Sequence, residues 1–144
     1  MRVHLKRQDQ AVHFLGTNGI GNSIHIDSSS VGPKESKGVS PMELLLMGIA
    51  GCSSIDIVMI LEKMHQPLED LEIIVDGTRA EDQIPKVFTA IHLKFIFTGA
   101  LKDNKVKQAI DLSLEKYCSV SKMLEKTATI SYEYEIKVPH SNPS

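Results

Sequence analysis

Ser40-Pro41-Met42-Glu43-Leu44-Leu45-Leu46-Met47-Gly48-Ile49-Ala50-Gly51-Cys52-Ser53-Ser54 is the stretch whose reading decides the fold. It opens with three helix-start signals: Ser40 as N-cap, Pro41 at the first helical position, where no amide donor is needed, and Glu43 three after the cap to close a capping box. The helix is expected to run from Pro41 to about Met64, because Gln66 precedes Pro67 and the residue before a proline leaves the helical region. From Leu44 to Ile60 it is apolar on nearly all sides, and such a helix must be enclosed rather than laid on a surface. A chain of 144 residues has little material for that, so a homodimer is expected. The uncharged run from Leu44 is closed by Asp56 and falls short of the roughly 20 residues a bilayer span needs, so no membrane partner is expected.

Upstream, Val3 and Leu5, then Val12, Phe14 and Gly16, then Ile24 and Ile26 alternate as three short strands of an antiparallel meander. Residues 27–39 collect Ser, Gly, Pro, Lys and Glu and read as an exposed loop. Downstream, Leu71, Ile73 and Val75 give a strand ending at Gly77, and Val87 to Phe97 a longer one that runs to Thr98-Gly99, the two forming a hairpin with a charged loop from Arg79 to Lys86. A second helix follows Asp103 with Val106, Ala109, Ile110, Leu114 and Tyr117 on one buried face. A helical turn after Cys118, a last strand from Thr129 to Val138 and a polar tail complete the chain, giving one domain over residues 1–138 and a flexible tail at 139–144.

Sixteen Lys plus Arg against eighteen Asp plus Glu leave a formal charge of -2, so no bulk positive field exists to hold phosphates and nucleic acid is not an expected partner. No apolar segment with a small-residue cleavage site follows the basic N-terminus, which points to an unprocessed cytoplasmic chain. The six histidines fall at no ligand spacing. His92, between Ile91 and Leu93, reads as a solvent-facing strand residue. Cys52 and Cys118 lack any CxxC or Cys/His spacing, so a structural metal site is not expected. In a cytosolic chain the two are either buried small hydrophobes or a redox couple.

The surroundings of each cysteine leave both readings open. Each of Gly48 and Gly51 costs on the order of 1 kcal/mol against Ala in a helix, which implies close backbone approach at a helix crossing or a pocket over the Cys52 thiol. Cys118 is either a buried helix-junction residue or a thiol activated by the amides of the turn it begins. Asp56, four after Cys52 and so on its face, either hydrogen-bonds near the site or marks the edge of the buried zone.

The segment from Ser40 to Ser53, followed by Tyr117-Cys118-Ser119-Val120-Ser121, resembles the paired signatures of the OsmC/Ohr family, the osmotically inducible protein C and organic hydroperoxide resistance proteins, in its YhfA-like branch. The resemblance spans essentially the whole chain. It implies an α+β fold of the OsmC-like kind, an intertwined homodimer with two long central helices wrapped by antiparallel sheets. It also implies a cofactor-free cysteine-based peroxidase acting on organic hydroperoxides in oxidative or osmotic stress, with Cys52 as peroxidatic thiol, Cys118 as resolving thiol and an external dithiol as reductant. The alternative is a dimer of the same fold with slow thiols that binds a small apolar ligand at its interface. Active relatives carry Asn-Pro-Glu before the cysteine helix, whereas here Met42 holds the place of that Glu and the acid is Glu43. At about 100° per residue Glu43 falls roughly 180° around the helix from Cys52, so it is either a supporting acid or only the capping-box acid. The family also uses an Arg from the N-terminal half to hold the thiolate, yet none occurs between Gln8 and Thr78. Arg2, Arg7, Arg79, Lys34 or Lys37 would have to substitute. Met42, Leu45, Leu46, Met47 and Ile49 are expected to line the access route to Cys52 and to favour an alkyl hydroperoxide over hydrogen peroxide.

Overall fold

The computed structural model describes residues 1–28 and 35–139, so of the expected tail residues 140–144 lie outside the described residues. The chain divides into two compact units, residues 1–45 and 46–144. In the first, β1 (Val3–Arg7), β2 (Phe14–Asn18) and β3 (Ser23–Ile26) pair antiparallel in that order, as the alternation predicts. The side chains of Asp9 and Asn18 hold the connecting turns by accepting from the amides of Ala11 and His13 and of Ile20 and Asn22. Val39 then bridges back to Ile26, and buried Asp27 accepts from the Lys37 amide, so the descending chain is tied to β3.

Helix α1 (Pro41–Lys63) starts with the capping box the sequence predicts: the Glu43 amide donates to Ser40 Oγ at 3.2 Å and the Ser40 amide to Glu43 Oε1 at 2.9 Å. Within the single chain its cover is partial. Only Ile49, Ser53, Ile57 and Leu61 are buried, a single stripe at a spacing of four, while Met47, Ile55, Val58 and Met59 are exposed. By length and composition α1 is apolar enough to cross a membrane, which the uncharged run from Leu44 alone does not indicate.

In the second unit β4 (Leu68–Arg79) and β5 (Phe88–Gly99) form the expected hairpin; β5 ends at Gly99 as read, whereas β4 is longer than read because polar residues continue its ladder past the alternating apolar positions. At Gly99, with φ +145°, a Cβ would press on the Pro67 carbonyl, so glycine is required where β5 turns away. The sheet order is β4-β5-β6, and β6 (Thr129–Lys137) runs parallel to β5, which corrects the expectation of wholly antiparallel sheets. The physical reason is the connection: α2 (Asp103–Leu112), a π turn (Ser113–Tyr117) and α3 (Ser119–Leu124) supply the long crossover that a parallel pair needs. Tyr132 and Tyr134 of β6 donate to Asp111 and Asp103, fastening the crossover to the sheet. Ile91, Leu93, Phe95 and Phe97 of β5, with Val106, Ala109 and Ile110 of α2, make an aliphatic and phenylalanine core with every side chain fully buried. Burying each of these large side chains stabilises the unit by about 1.5–3 kcal/mol before the entropy of ordering is subtracted.

The helix read as continuing to Tyr117 stops at Leu112. In the π turn the Cys118 amide donates to the Ser113 carbonyl five residues back at 2.7 Å, so the chain carries one residue more per turn than an α-helix. That extra residue rotates Tyr117 off the buried face, where the three-and-four spacing had put it, and leaves its side chain exposed.

Candidate functional site

Cys52 lies one turn before Asp56 on α1, and Cys118 stands at the junction of the π turn and α3. The fold brings the three together: both Sγ atoms and a carboxylate oxygen of Asp56 all lie within 4.8 Å of one another. Cys118 is fully buried, whereas Cys52 and Asp56 are half-buried, so the group is reached from the Cys52 side. Of the two readings of Asp56, the structure favours the one at the site.

Small hydroxyl residues fix the geometry. Ser113, the first residue of the π turn, places its buried Oγ 3.1 Å from Asp56 Oδ2 and 3.3 Å from the Ser53 carbonyl, sharing one proton between α1 and the crossover. Ser121 Oγ donates to the carbonyls of Leu114 and Cys118, both at 2.9 Å, and its amide donates to Cys118 Sγ at 3.4 Å. The π turn is therefore stapled at both ends, and Cys118 is held with a fixed backbone while its sulfur faces α1. Inside α1 the Ser53 hydroxyl is satisfied by the Ile49 carbonyl at 2.7 Å, and Ser54 bonds the Ala50 carbonyl. No buried side-chain nitrogen or oxygen among the described residues lacks a partner.

Burial pushes the Cys118 thiol above its ordinary pKa; the Ser121 amide pulls it down, and the neighbouring Cys52 adds to the rise. No cation appears among the groups that move it. Beside the cluster, and sharing Asp56 with it, a pocket of about 350 Å³ is lined by Lys63 and Tyr117 among Met59, Ile60, Met64 and Leu112. Met42, Leu45, Leu46, Met47 and Ile49, expected along the access route, do not line this pocket, whose walls come from the C-terminal half of α1 and from Leu112 and Tyr117 of the crossover.

The supporting residues named from sequence are placed as follows. Glu43 is engaged in the capping box, and hydrogen bonding to the Ser40 backbone amide, with the Ser40 hydroxyl second, holds its carboxyl below the usual range. Arg79 donates its Nε to the Lys86 carbonyl at 2.8 Å, closing the end of its own hairpin. Arg7 is bound to the carbonyls of Gln10 and Ala11 in the first turn. Lys37 is an exposed residue of the first unit, and Lys34 lies outside the described residues. His92 is half-exposed as read and bonds Ser131 at 2.7 Å. The histidines are less scattered than their positions suggest, since Nε2 of His13, just before β2, sits 2.8 Å from Nδ1 of His25 on β3.

The sequence model of the family described as "OsmC-like protein" matches residues 33–133. The chain is 45% identical over 128 residues to Protein YhfA of Escherichia coli strain K12, covering 88% of this chain and 92% of that protein. A crystal structure from Aquifex aeolicus VF5 superposes with a TM-score of 0.84 at 33% identity, covering 96% of this chain and 97% of the other. The organic hydroperoxide resistance protein OhrB of Bacillus subtilis superposes with a TM-score of 0.65 at 18% identity, covering 93% and 96%, a likeness of fold.

Proposed function

This chain belongs to the OsmC-like protein family, on its YhfA-like side, and from that premise we propose that it is a thiol peroxidase that reduces organic hydroperoxides. The single observation that carries the reading is the approach of two free thiols from distant positions to within 4.8 Å in such a fold. The half-buried Cys52 thiolate attacks the terminal oxygen of ROOH; the O–O bond breaks, the alkoxide leaves and takes a proton from solvent to become ROH, and Cys52 becomes a sulfenic acid. The Cys118 sulfur then attacks the Cys52 sulfur. An S–S bond forms, the S–O bond breaks, and the hydroxyl leaves as water with the Cys118 proton. An external dithiol reduces the disulfide by exchange and resets both thiols. Apolar Met59, Ile60 and Met64 beside the cluster favour a substrate with an alkyl tail, because about 25 cal/mol is gained per Å² of apolar surface buried.

The protein works as a homodimer in this reading, the second copy covering the apolar face of α1 at Met47, Ile55, Val58 and Met59. The cytoplasm, where two free thiols persist, is its proposed compartment.

The test is consumption of cumene hydroperoxide and of hydrogen peroxide with a dithiol reductant, in wild type and in Cys52→Ser. Turnover that prefers cumene hydroperoxide and vanishes in the variant is expected. Equal rates for the two peroxides, or activity that survives the substitution, would favour a slow-thiol dimer that binds a small apolar ligand at its interface.

A further inference from the structure

Three ligating side chains that no spacing in the sequence connects converge on one point. Cys52 and Asp56 sit four apart on one face of α1, the arrangement by which a helix offers two ligands to one metal ion. Cys118 approaches from the crossover as the third. We propose that the reduced Cys52, Asp56 and Cys118 side chains bind a thiophilic divalent cation of the zinc class, with one coordination position left open.

The donor set is what selects this class. Two sulfurs with one carboxylate oxygen suit zinc and its softer congener cadmium and do not suit magnesium or calcium, which take all-oxygen shells. In tetrahedral coordination, bonds of about 2.3 Å to sulfur and about 2.0 Å to oxygen put the two sulfurs about 3.8 Å apart and each about 3.5 Å from the oxygen. The observed ceiling of 4.8 Å asks for a contraction of about 1 Å, within reach of the side-chain torsions of Cys52 and Asp56. The supports for such a shell are already built. Ser113 Oγ donates to Asp56 Oδ2 at 3.1 Å and leaves the other carboxylate oxygen available, as ligating carboxylates are oriented in metal sites. The Ser121 bonds fix the backbone of Cys118. Charge points the same way once the ion is bound: the two cysteines, having given up their protons, and the Asp56 carboxylate would bring three negative charges to a divalent cation. On binding, each thiol gives its proton to solvent and forms a metal–sulfur bond, with no change of oxidation state. The metal-bound form would hold both thiols away from oxidants, and the inference stands whether or not the pair turns over hydroperoxides.

The experiment is an anaerobic titration of the full, reduced, metal-free chain with zinc against a chromophoric chelator, and with cadmium while the thiolate-to-metal absorption band is followed. One ion per chain is expected, with protons released on binding. Affinity should fall at least tenfold in each of Cys52→Ser, Cys118→Ser and Asp56→Asn, and stay unchanged in the His13→Ala/His25→Ala double variant. Should a site variant fail to fold, the wild type decides: zinc should slow alkylation of both thiols, and Ser113→Ala should weaken that protection. The absence of saturable binding, an affinity insensitive to the cysteines and Asp56, or binding lost only with His13 and His25 would overturn the proposal.

Discussion

The two cysteines sit in regions built by different means. Cys52 rides on α1, a helix of 23 residues whose start is set by a capping box far from position 52. Cys118 stands where a π turn hands over to a helix of six residues, and its place depends on the hydrogen bonds of Ser113 and Ser121. One thiol is half-buried on a rigid rod; the other is fully buried in a tied joint. The contrast teaches a division of labour: the regular element presents the accessible sulfur, and the irregular one delivers its partner. Irregular turns of this kind recur at functional sites because an inserted residue re-aims a side chain that helical geometry would send elsewhere.

The sharpest break of this comparison is kinetic. Replacing Cys52 by Ser should take hydroperoxide turnover to background, whereas Cys118→Ser should leave one stoichiometric oxidation per chain, read as a sulfenic acid trapped by a dimedone-type reagent. Equal behaviour of the two variants would erase the proposed division. Next in size is accessibility. Alkylation at neutral pH should modify Cys52 at least about tenfold faster than Cys118, because burial both shields the second thiol and raises its pKa. The same shift sets a sign for stability: the folded Cys118 keeps its proton to higher pH than the unfolded chain does. This contribution is full below the ordinary thiol pKa and is lost as pH rises through the folded value. Chemical denaturation of wild type and Cys118→Ala across the alkaline range checks it, and a rise in the relative stability of the wild type with pH would contradict it.

A smaller effect separates the two regions structurally. Ser113→Ala removes the hydroxyl that joins the π turn to Asp56 and Ser53, with an expected loss of about 1 kcal/mol in a denaturant midpoint. Ser40→Ala, at the other end of α1, should cost about the same through its cap while leaving the alkylation contrast intact. The least effect belongs to Glu43, whose carboxyl is held below its ordinary value by Ser40. Its contribution is present above the ordinary carboxylate pKa and disappears as pH falls through the lowered one, so Glu43→Gln should flatten that part of an acid denaturation profile.

The same division explains what could be read from sequence. α1 was legible because Ser40, Pro41 and Glu43 act on neighbouring amides, and β5 because Ile91, Leu93, Phe95 and Phe97 repeat with the period of a strand. Local chemistry leaves a local trace. The parallel pairing of β6 left none, since its alternation is the same whichever way it runs beside β5. The π turn was hidden because Leu114 and Tyr117 keep a helical spacing, and only the bond from the Cys118 amide to Ser113 shows that the turn is wide. Asp56 was visible as a residue on the face of Cys52, but its nearness to Cys118 arises from a contact between residues far apart in the chain. His13 and His25 escaped notice for the same reason, their meeting arising from the fold of the meander rather than from their spacing.

The central claim is that the fold pairs these two sulfurs for chemistry, and one measurement addresses it most directly. Reduced protein treated with one equivalent of cumene hydroperoxide per chain, then digested and mapped without reductant, should yield an intrachain Cys52–Cys118 disulfide as the main product. Recovery of Cys52 as sulfinic or sulfonic acid with Cys118 still a free thiol would contradict the account.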